Sequence, residues 1–378
     1  MRNFELEVHF SKWEFKAKHH MTASDAQSMT LTELLDMASQ QRRDEFNNLW
    51  LGYTQTWGAA ALRSEIANTY DNINAKNVLC FAGAEEGIYA AMRVMLEPGD
   101  HVIVLVPNYQ AAETLPLDIC EVTGVALDPN NDWRVDMDAL RDAIQPNTKL
   151  ISINFPNNPT GAVMPREDFD ELVALCRQHG IYLFSDEVYR GLEMDPAKRI
   201  PQAADVYERG LSLNVMSKAY GLPGLRIGWI ACQDVGLLHK LEQYKHYLSI
   251  CNSGPSEQLS LIALEVRTQI LARNYALLSS NLDLVDQFFS EYPDMFEWQR
   301  PDGGCVAYPR FKPAVGVEQF CKDIVDEEGV LLLPASVYKS DLMTGLDDRF
   351  RIGFGRDNLK EGLDAMRSFM DRHHNSYV

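Results

Sequence analysis

The middle of the chain alternates short apolar runs with stretches of helical periodicity, and this alternation limits the folds that are possible. Helical spacing of apolar residues appears in Asp136–Ile144 and Arg166–His179, and Gly180 ends the second of these helices. Strands that alternate with helices favour a mostly parallel, doubly wound sheet. The predicted strands cover residues 101–106, 150–155, 181–184, 211–215 and 227–232. Such sheets bind ligands just past their strand ends.

The length of the chain indicates two domains. Its 378 residues exceed the roughly 150 of a typical domain. We assign residues 47–284 to a large α/β domain that contains the alternating region. Residues 1–46 and 285–378 form a smaller α+β domain, with an active-site segment at its N-terminal end and a final amphipathic helix over Leu359–Arg372.

Charge and composition exclude several classes of protein. The chain carries 54 acidic and 35 basic residues, a formal charge of -19, which disfavours binding to nucleic acid or an anionic membrane. Apolar runs are too short for a membrane span, and the N-terminus does not resemble a secretory signal. Seven scattered cysteines contain no C-x-x-C pair, so we expect no metal site and a reducing compartment, the cytoplasm.

The most informative stretch runs from Asn214 to Trp229 and contains a lysine directly after a predicted strand. Lys218 is followed by three glycines, whose lack of a side chain lets backbone approach a flat ligand. Arg226 offers a bidentate fork for a phosphate. A lone lysine in a loop is usually a solvated cation, so the interpretation depends on the whole string.

That string, S-K-x-x-G-x-x-G-x-R-x-G, resembles the signature of the class I/II aminotransferases, enzymes of fold type I that use pyridoxal 5'-phosphate. Four further motifs follow the family's order from about Tyr53 to Gly355. The resemblance implies the PLP-dependent transferase fold type I. The four motifs are Y-x-x-x-x-G at Tyr53, N-N-P-T-G at 157–161, D-x-x-Y at Asp186 and the late arginine Arg351.

The resemblance implies a role for each residue around the cofactor ring. Lys218 is expected to form the Schiff base and then to move the substrate proton. Asp186 pairs with the pyridine nitrogen, although the position also suits a helix cap. Tyr189 and Asn158 hydrogen-bond the phenolic oxygen, and Asn158 also reaches the substrate. Tyr109 stacks on the ring, although an aromatic residue at a strand end also suits a core.

The phosphate is expected at a helix N-terminus formed by Gly83, Ala84 and Glu85, together with Arg226. Only the backbone amide of Glu85 is expected to contribute, because an inward carboxylate would repel the phosphate. The family often has a serine three residues before the lysine; since Val215 stands there, we assign that role to Ser217.

Two residues are assigned to the substrate and to a partner subunit. Arg351 is expected to bind the substrate α-carboxylate through a bidentate clamp. In the family, the residue that matches Tyr53 reaches the phosphate of the neighbouring subunit, so the resemblance implies a homodimer. Arg356 is left unassigned.

The N-terminal segment resembles that of a subgroup that includes capreomycidine synthase and related arginine-modifying enzymes. By that resemblance, Glu14 and Asp25 bind a cationic side chain of the substrate; alternatively, Asp25 caps a helix and Glu14 is a solvated charge. His19 and His20 are interpreted as surface residues.

The predicted function is transfer of an amino group between an L-amino acid and a 2-oxo acid. One alternative keeps the cofactor but eliminates, cyclises or oxidises an amino acid. Another is a regulator without activity, which the intact Lys218, Asp186 and Arg226 argue against.

Overall fold

The computed structural model describes residues 1–377, apart from the side chain of Asn375. In chain order its helices are α1 Glu5–Trp13, α2 Leu31–Met37, α3 Gln40–Asn47, α4 Ala60–Ala67, α5 Ala84–Met95, α6 Ala111–Leu117, α7 Met137–Asp142, α8 Arg166–His179, α9 Ala203–Val206, α10 Val235–Lys245, α11 Gly254–Glu265, α12 Arg267–Glu291, α13 Val317–Glu328 and α14 Leu359–Tyr377. Its strands are β1 His19–His20, β2 Val78–Phe81, β3 His101–Val106, β4 Glu121–Asp128, β5 Arg134–Val135, β6 Thr148–Asn154, β7 Tyr182–Asp186, β8 Gly210–Val215, β9 Gly228–Cys232, β10 Phe296–Glu297, β11 Val306–Ala307, β12 Arg310–Phe311, β13 Val330–Leu331, β14 Leu333–Pro334 and β15 Phe350–Gly353. No helix within the described residues is long and apolar enough to span a bilayer.

A mixed sheet forms the centre of the molecule, with strand order β2-β9-β8-β7-β6-β3-β4-β5. Five strands in the middle of this sheet run parallel to one another: β8, β7, β6, β3 and β4. Every residue of β3 and β8 is buried, as expected for strands covered on both faces. The predicted mostly parallel sheet is therefore confirmed.

Strand β9 runs antiparallel to both β2 and β8. The link from β8 to β9 covers only residues 216–227 and contains a short 3-10 turn, Pro223–Leu225, but no crossover helix. A parallel return needs a crossover connection, so the chain comes back alongside β8 in the opposite direction. Lys218 lies in this tight link.

The predicted elements agree closely with the structure where periodicity is strong. Helix α8 covers the predicted 166–179, and Gly180 ends it with a left-handed φ of 67°. Strand β3 covers the predicted 101–106. The last helix is longer than predicted and continues to Tyr377. Strands β4 and β5 were not predicted, because β4 lacks the continuous apolar run of the other strands and β5 has only two residues.

Small strand pairs join the two ends of the chain. Strand β1 pairs in parallel with β13, and β11, β15 and β14 form an antiparallel sheet. Helix α12 crosses residue 284 as one continuous element. The domain boundaries at 46 and 284 stay a prediction.

Candidate active site

A cavity of about 540 Å³ opens at the carboxyl ends of β6, β7 and β8. The last residues of these strands, Asn154, Asp186 and Val215, line it. The first turn of α5 and the N-terminal segment complete the wall. Most of the predicted site residues line this cavity: Glu14, Asp25, Ala84, Glu85, Tyr109, Asn158, Asp186, Tyr189, Ser217, Lys218 and Arg226.

Lys218 enters the cavity from the link between β8 and β9. Its Nζ donates a hydrogen bond to Ser24 Oγ at 2.8 Å. Burial lowers the pKa of the amine, an effect that Asp25 opposes and Arg351 reinforces. A lower pKa increases the fraction of neutral amine, which is the form that attacks a carbonyl or accepts a proton.

Asp186 is the last residue of β7, and one of its carboxylate oxygens accepts a hydrogen bond from Val188 N at 3.2 Å. Burial raises the pKa of this carboxyl to about 6, while the Val188 amide and Lys218 act in the opposite direction. Asn154 donates from Nδ2 to the Asp186 carbonyl at 3.1 Å, which links the ends of β6 and β7.

Tyr189 and Asn158 lie on the same wall. The buried Tyr189 hydroxyl donates to the Ser24 carbonyl at 2.9 Å. Ser24 therefore contacts both Tyr189 and Lys218, although no sequence motif marked it. Asn158 is also buried, and its backbone N–H donates to Asn154 Oδ1 at 2.8 Å.

Gly83 precedes α5 and has a φ of 95°, which favours glycine. A Cβ at this position would lie 2.6 Å from Arg226 Nη2. The Arg226 guanidinium therefore lies over the N-terminus of α5, and its Nη1 is 3.5 Å from Ser217 Oγ. Backbone amides, a guanidinium and a hydroxyl together make a fitting anion site.

The Glu85 side chain corrects one expectation, because it lines the cavity instead of pointing outward. Its Oε2 is buried without a partner among the described residues. Burial raises the pKa of this carboxyl to about 7, which lessens the negative charge near a phosphate. Tyr109 lies on the same wall and packs on Phe4, with ring centroids 5.2 Å apart.

Arg351 is fully buried and lies behind the cavity wall. Its Nη1 donates to Asn158 Oδ1 at 3.1 Å and to the Tyr338 hydroxyl, and its Nη2 donates to the Thr22 carbonyl at 2.6 Å. All of these acceptors are neutral. Tyr338 was missed because nothing in its local sequence distinguishes it from a core tyrosine.

The N-terminal segment forms the outer wall with Glu14 and Asp25. Asp25 accepts from Arg356 Nη2 at 2.9 and 3.1 Å, so the arginine left unassigned is a cavity residue. Glu14 is largely exposed, and its pKa is raised by partial desolvation and by the charges of Glu7 and Asp25. The Asp25 side chain caps none of the described helices, whereas Glu14 follows the last residue of α1 and its exposure fits a solvated charge.

The interpretation of His20 as a surface residue was wrong. His20 lines the cavity, and both of its ring nitrogens are buried without partners among the described residues. Pairing of β1 with β13 brings it inward, and a two-residue strand gives no signal in the sequence. Its neighbour His19 is partly exposed and does not line the cavity.

Tyr53 lies outside the cavity and is 88% exposed. Trp50 and Leu51 beside it are 82% and 81% exposed, and Tyr247 is 90% exposed. The Thr54 hydroxyl donates to the Asn252 carbonyl at 2.8 Å, so the two exposed segments are neighbours.

Comparison with known proteins identifies the family. The family model described as "Aminotransferase class I and II" matches residues 19–366. The chain belongs to the class I and II aminotransferase family. This confirms the fold type I architecture, and the cofactor is pyridoxal 5'-phosphate.

Three similar proteins illustrate the relatives of this chain within the family. Capreomycidine synthase of Streptomyces vinaceus is 30% identical over 95% of this chain and 91% of its own. Arginine–pyruvate transaminase of Pseudomonas aeruginosa is 30% identical over 76% of this chain and 74% of its own. A solved PLP-dependent aminotransferase from Streptococcus suis 89-1591 has a TM-score of 0.91 and 31% identity, covering 98% of both chains.

The cavity of this family member fits pyridoxal 5'-phosphate. It provides an amine with a lowered pKa, a carboxylate at a strand end and an anion site. When bound, the cofactor supplies an electron sink that stabilises a carbanion at the substrate Cα. Lys218, Asp186 and the pair of Gly83 and Arg226 are the residues that could hold it.

Proposed function

We propose that this aminotransferase transfers an amino group between an L-amino acid and a 2-oxo acid, with Lys218 as the lysine of the Schiff base. The observation that carries the proposal is the amine of Lys218, which lies in the same cavity as Asp186 and has a lowered pKa. Lys218 would accept the proton from the substrate Cα as a general base and then donate it to a second carbon atom as a general acid.

The other residues hold and orient the cofactor in this proposal. Asp186 keeps a proton on the pyridine nitrogen, and Tyr189 and Asn158 hydrogen-bond the phenolic oxygen. Tyr109 contacts the ring. Around the phosphate lie the amides of Gly83, Ala84 and Glu85, with Ser217, Arg226 and a partner's tyrosine; Arg351 and Asn158 receive the substrate carboxylate.

We propose a cationic substrate side chain, as in arginine. The residues that line the cavity include Glu7, Glu14 and Asp25, together with Arg356. Asp25 already pairs with Arg356, so a cationic side chain would approach Glu14 and compete with Arg356 for Asp25. Arginine–pyruvate transaminase is a relative with such a substrate in its name.

A substrate screen tests this proposal. Each of the twenty amino acids is mixed with the cofactor-loaded enzyme, with and without pyruvate, and products are identified. We expect arginine to yield its 2-oxo acid and alanine over many turnovers only when pyruvate is present, and at most one equivalent of the 2-oxo acid per site without it. Glu14→Gln should raise the KM for arginine several-fold while leaving a neutral amino acid unchanged. Turnover of neutral amino acids alone would refute the cationic preference.

Cyclisation, elimination or oxidation of an amino acid is the second candidate. The likeness to capreomycidine synthase over 95% of this chain favours it. Both candidates need the same lysine and electron sink, so the products decide between them. Consumption of arginine without a 2-oxo acid acceptor, giving a product other than the 2-oxo acid of arginine, would favour this candidate over transamination.

We further propose a homodimer in which Tyr53 reaches the partner's site. Its support is the exposed group of Trp50, Leu51, Tyr53 and Tyr247, since large apolar patches often mark interfaces. Mixing inactive Lys218→Ala and Tyr53→Phe subunits should restore part of the activity, because one mixed site keeps both residues. Failure to complement, with a monomeric mass in solution, would overturn this.

We propose a reducing compartment, the cytoplasm, for this enzyme. All seven cysteines are free, and five of them are buried. Fractionation of cells that contain the protein tests this location.

A further inference from the structure

Tyr338 ends a short 3-10 turn that follows β14, and its side chain reaches two residues of the proposed substrate site. Its hydroxyl donates to Asn158 Oδ1 at 3.0 Å and accepts from Arg351 Nη1. The ring lies beside the guanidinium, with 5.7 Å from Arg351 Cζ to the ring centroid. One phenol group therefore bridges Asn158 and Arg351.

The surroundings of Arg351 favour an anion. Its guanidinium is fully buried, its hydrogen-bond acceptors are all neutral, and its Nε has no partner among the described residues. Burying a charge that has only neutral partners is costly, so a carboxylate that reached Arg351 would be bound strongly. That carboxylate would meet Nη1 where the Tyr338 hydroxyl lies.

We propose that Tyr338 is a substrate-binding residue whose hydroxyl donates a hydrogen bond to the α-carboxylate, beside Arg351. The proposal rests on the proposed function, because it assumes an amino acid substrate. A phenol O–H rotates about its C–O bond, so the Tyr338 hydroxyl proton that now points to Asn158 Oδ1 can turn to a carboxylate oxygen. This exchanges a neutral hydrogen bond for a charge-assisted one, which is stronger.

The structure gives the ring room to adjust and keeps the hydroxyl protonated. A second cavity, of about 260 Å³, borders Tyr338 and is also lined by Pro107, Tyr308 and Ser340. A small shift of the ring toward it makes space for the carboxylate at Nη1. Burial raises the pKa of Tyr338, so the hydroxyl remains a donor at neutral pH.

The opposite arrangement is that Tyr338 only competes with the carboxylate for Arg351. The two arrangements predict opposite signs for Tyr338→Phe, which removes the hydroxyl and keeps the ring. A donor makes the variant bind carboxylates more weakly, whereas a competitor makes it bind them more tightly.

The experiment compares Tyr338→Phe with the wild-type holoenzyme. The probes are the amino acid that changes the cofactor spectrum most in the wild type, and its α-amide, which lacks the carboxylate. Loss of a hydrogen bond to a charged group should raise the dissociation constant of the acid about tenfold or more, and that of the amide less than about twofold.

Tyr308→Phe is the matched control. Tyr308 is buried beside Tyr338, with ring centroids 5.6 Å apart, and we expect the variant to bind acid and amide as the wild type does. Tighter binding of the acid by Tyr338→Phe, no change, or an equal loss for acid and amide would overturn the proposal. If no amino acid changes the wild-type spectrum, the proposed function fails.

In that case formate, the smallest carboxylate, replaces the amino acid as the probe. The measurement is the rise in melting temperature when formate replaces chloride. A smaller rise for Tyr338→Phe than for wild type would still support the role of Tyr338. Equal protection of the two proteins would overturn it.

Discussion

Gly83→Ala should weaken cofactor binding in addition to straining the backbone, whereas an alanine at an open glycine of similar φ should only strain the backbone. Gly83 has a φ of 95° and a ψ of 170°, a region that is essentially restricted to glycine, so an alanine there is strained at a cost of about 1–3 kcal/mol. Its Cβ would lie 2.6 Å from Arg226 Nη2, so the guanidinium must move away from the N-terminus of α5. Losing a charge-assisted contact to the phosphate costs about 1.5–3 kcal/mol, or roughly 10- to 150-fold in the dissociation constant.

Gly99→Ala is the control that measures the cost of placing an alanine at a positive φ without a clash. Gly99 has a φ of 99°, and a Cβ there would meet nothing within 4 Å. Urea unfolding of the cofactor-free proteins should show similar losses for both variants. Titration with pyridoxal 5'-phosphate, followed by absorbance, should show a large loss for Gly83→Ala alone. Equal affinities in the two variants would refute the argument that Arg226 is held over Gly83.

Two further predictions concern the centre of the site. Borohydride should trap the cofactor on the wild-type enzyme but not on Lys218→Ala. Lys198→Ala, which removes an exposed ion pair with Asp302, is the control and should trap the cofactor as the wild type does. A trapped adduct on Lys218→Ala would show that Lys218 is not the lysine of the Schiff base. In the cofactor-free protein, Asp186 has a pKa of about 6, against about 4 in an unfolded chain. Between these pH values the folded state binds more protons than the unfolded state. The contribution of Asp186 to the free energy of unfolding therefore falls as pH rises through this window. Asp186→Asn should remove that part of the pH dependence. Urea unfolding at several pH values from about 4 to 7 measures it, and the same change of unfolding free energy with pH in wild type and Asp186→Asn would contradict the prediction.

The sequence by itself determined the family, the fold class and the residues that follow strand ends. These signals are local: Lys218 and Arg226 are eight positions apart in one string, and Asp186 and Tyr189 are three apart. Alternating apolar runs placed these motifs at the carboxyl edge of one sheet, because parallel strands end at the same edge.

Only the tertiary structure decided which distant side chains complete the cavity. Ser24 contacts Lys218 across 194 positions, Arg356 reaches Asp25 across 331, and Tyr338 reaches Asn158 across 180. These contacts depend on how the N-terminal segment and the last strands close over the sheet. Individually such residues resemble ordinary surface or core residues, and their partners come from packing that no local spacing encodes.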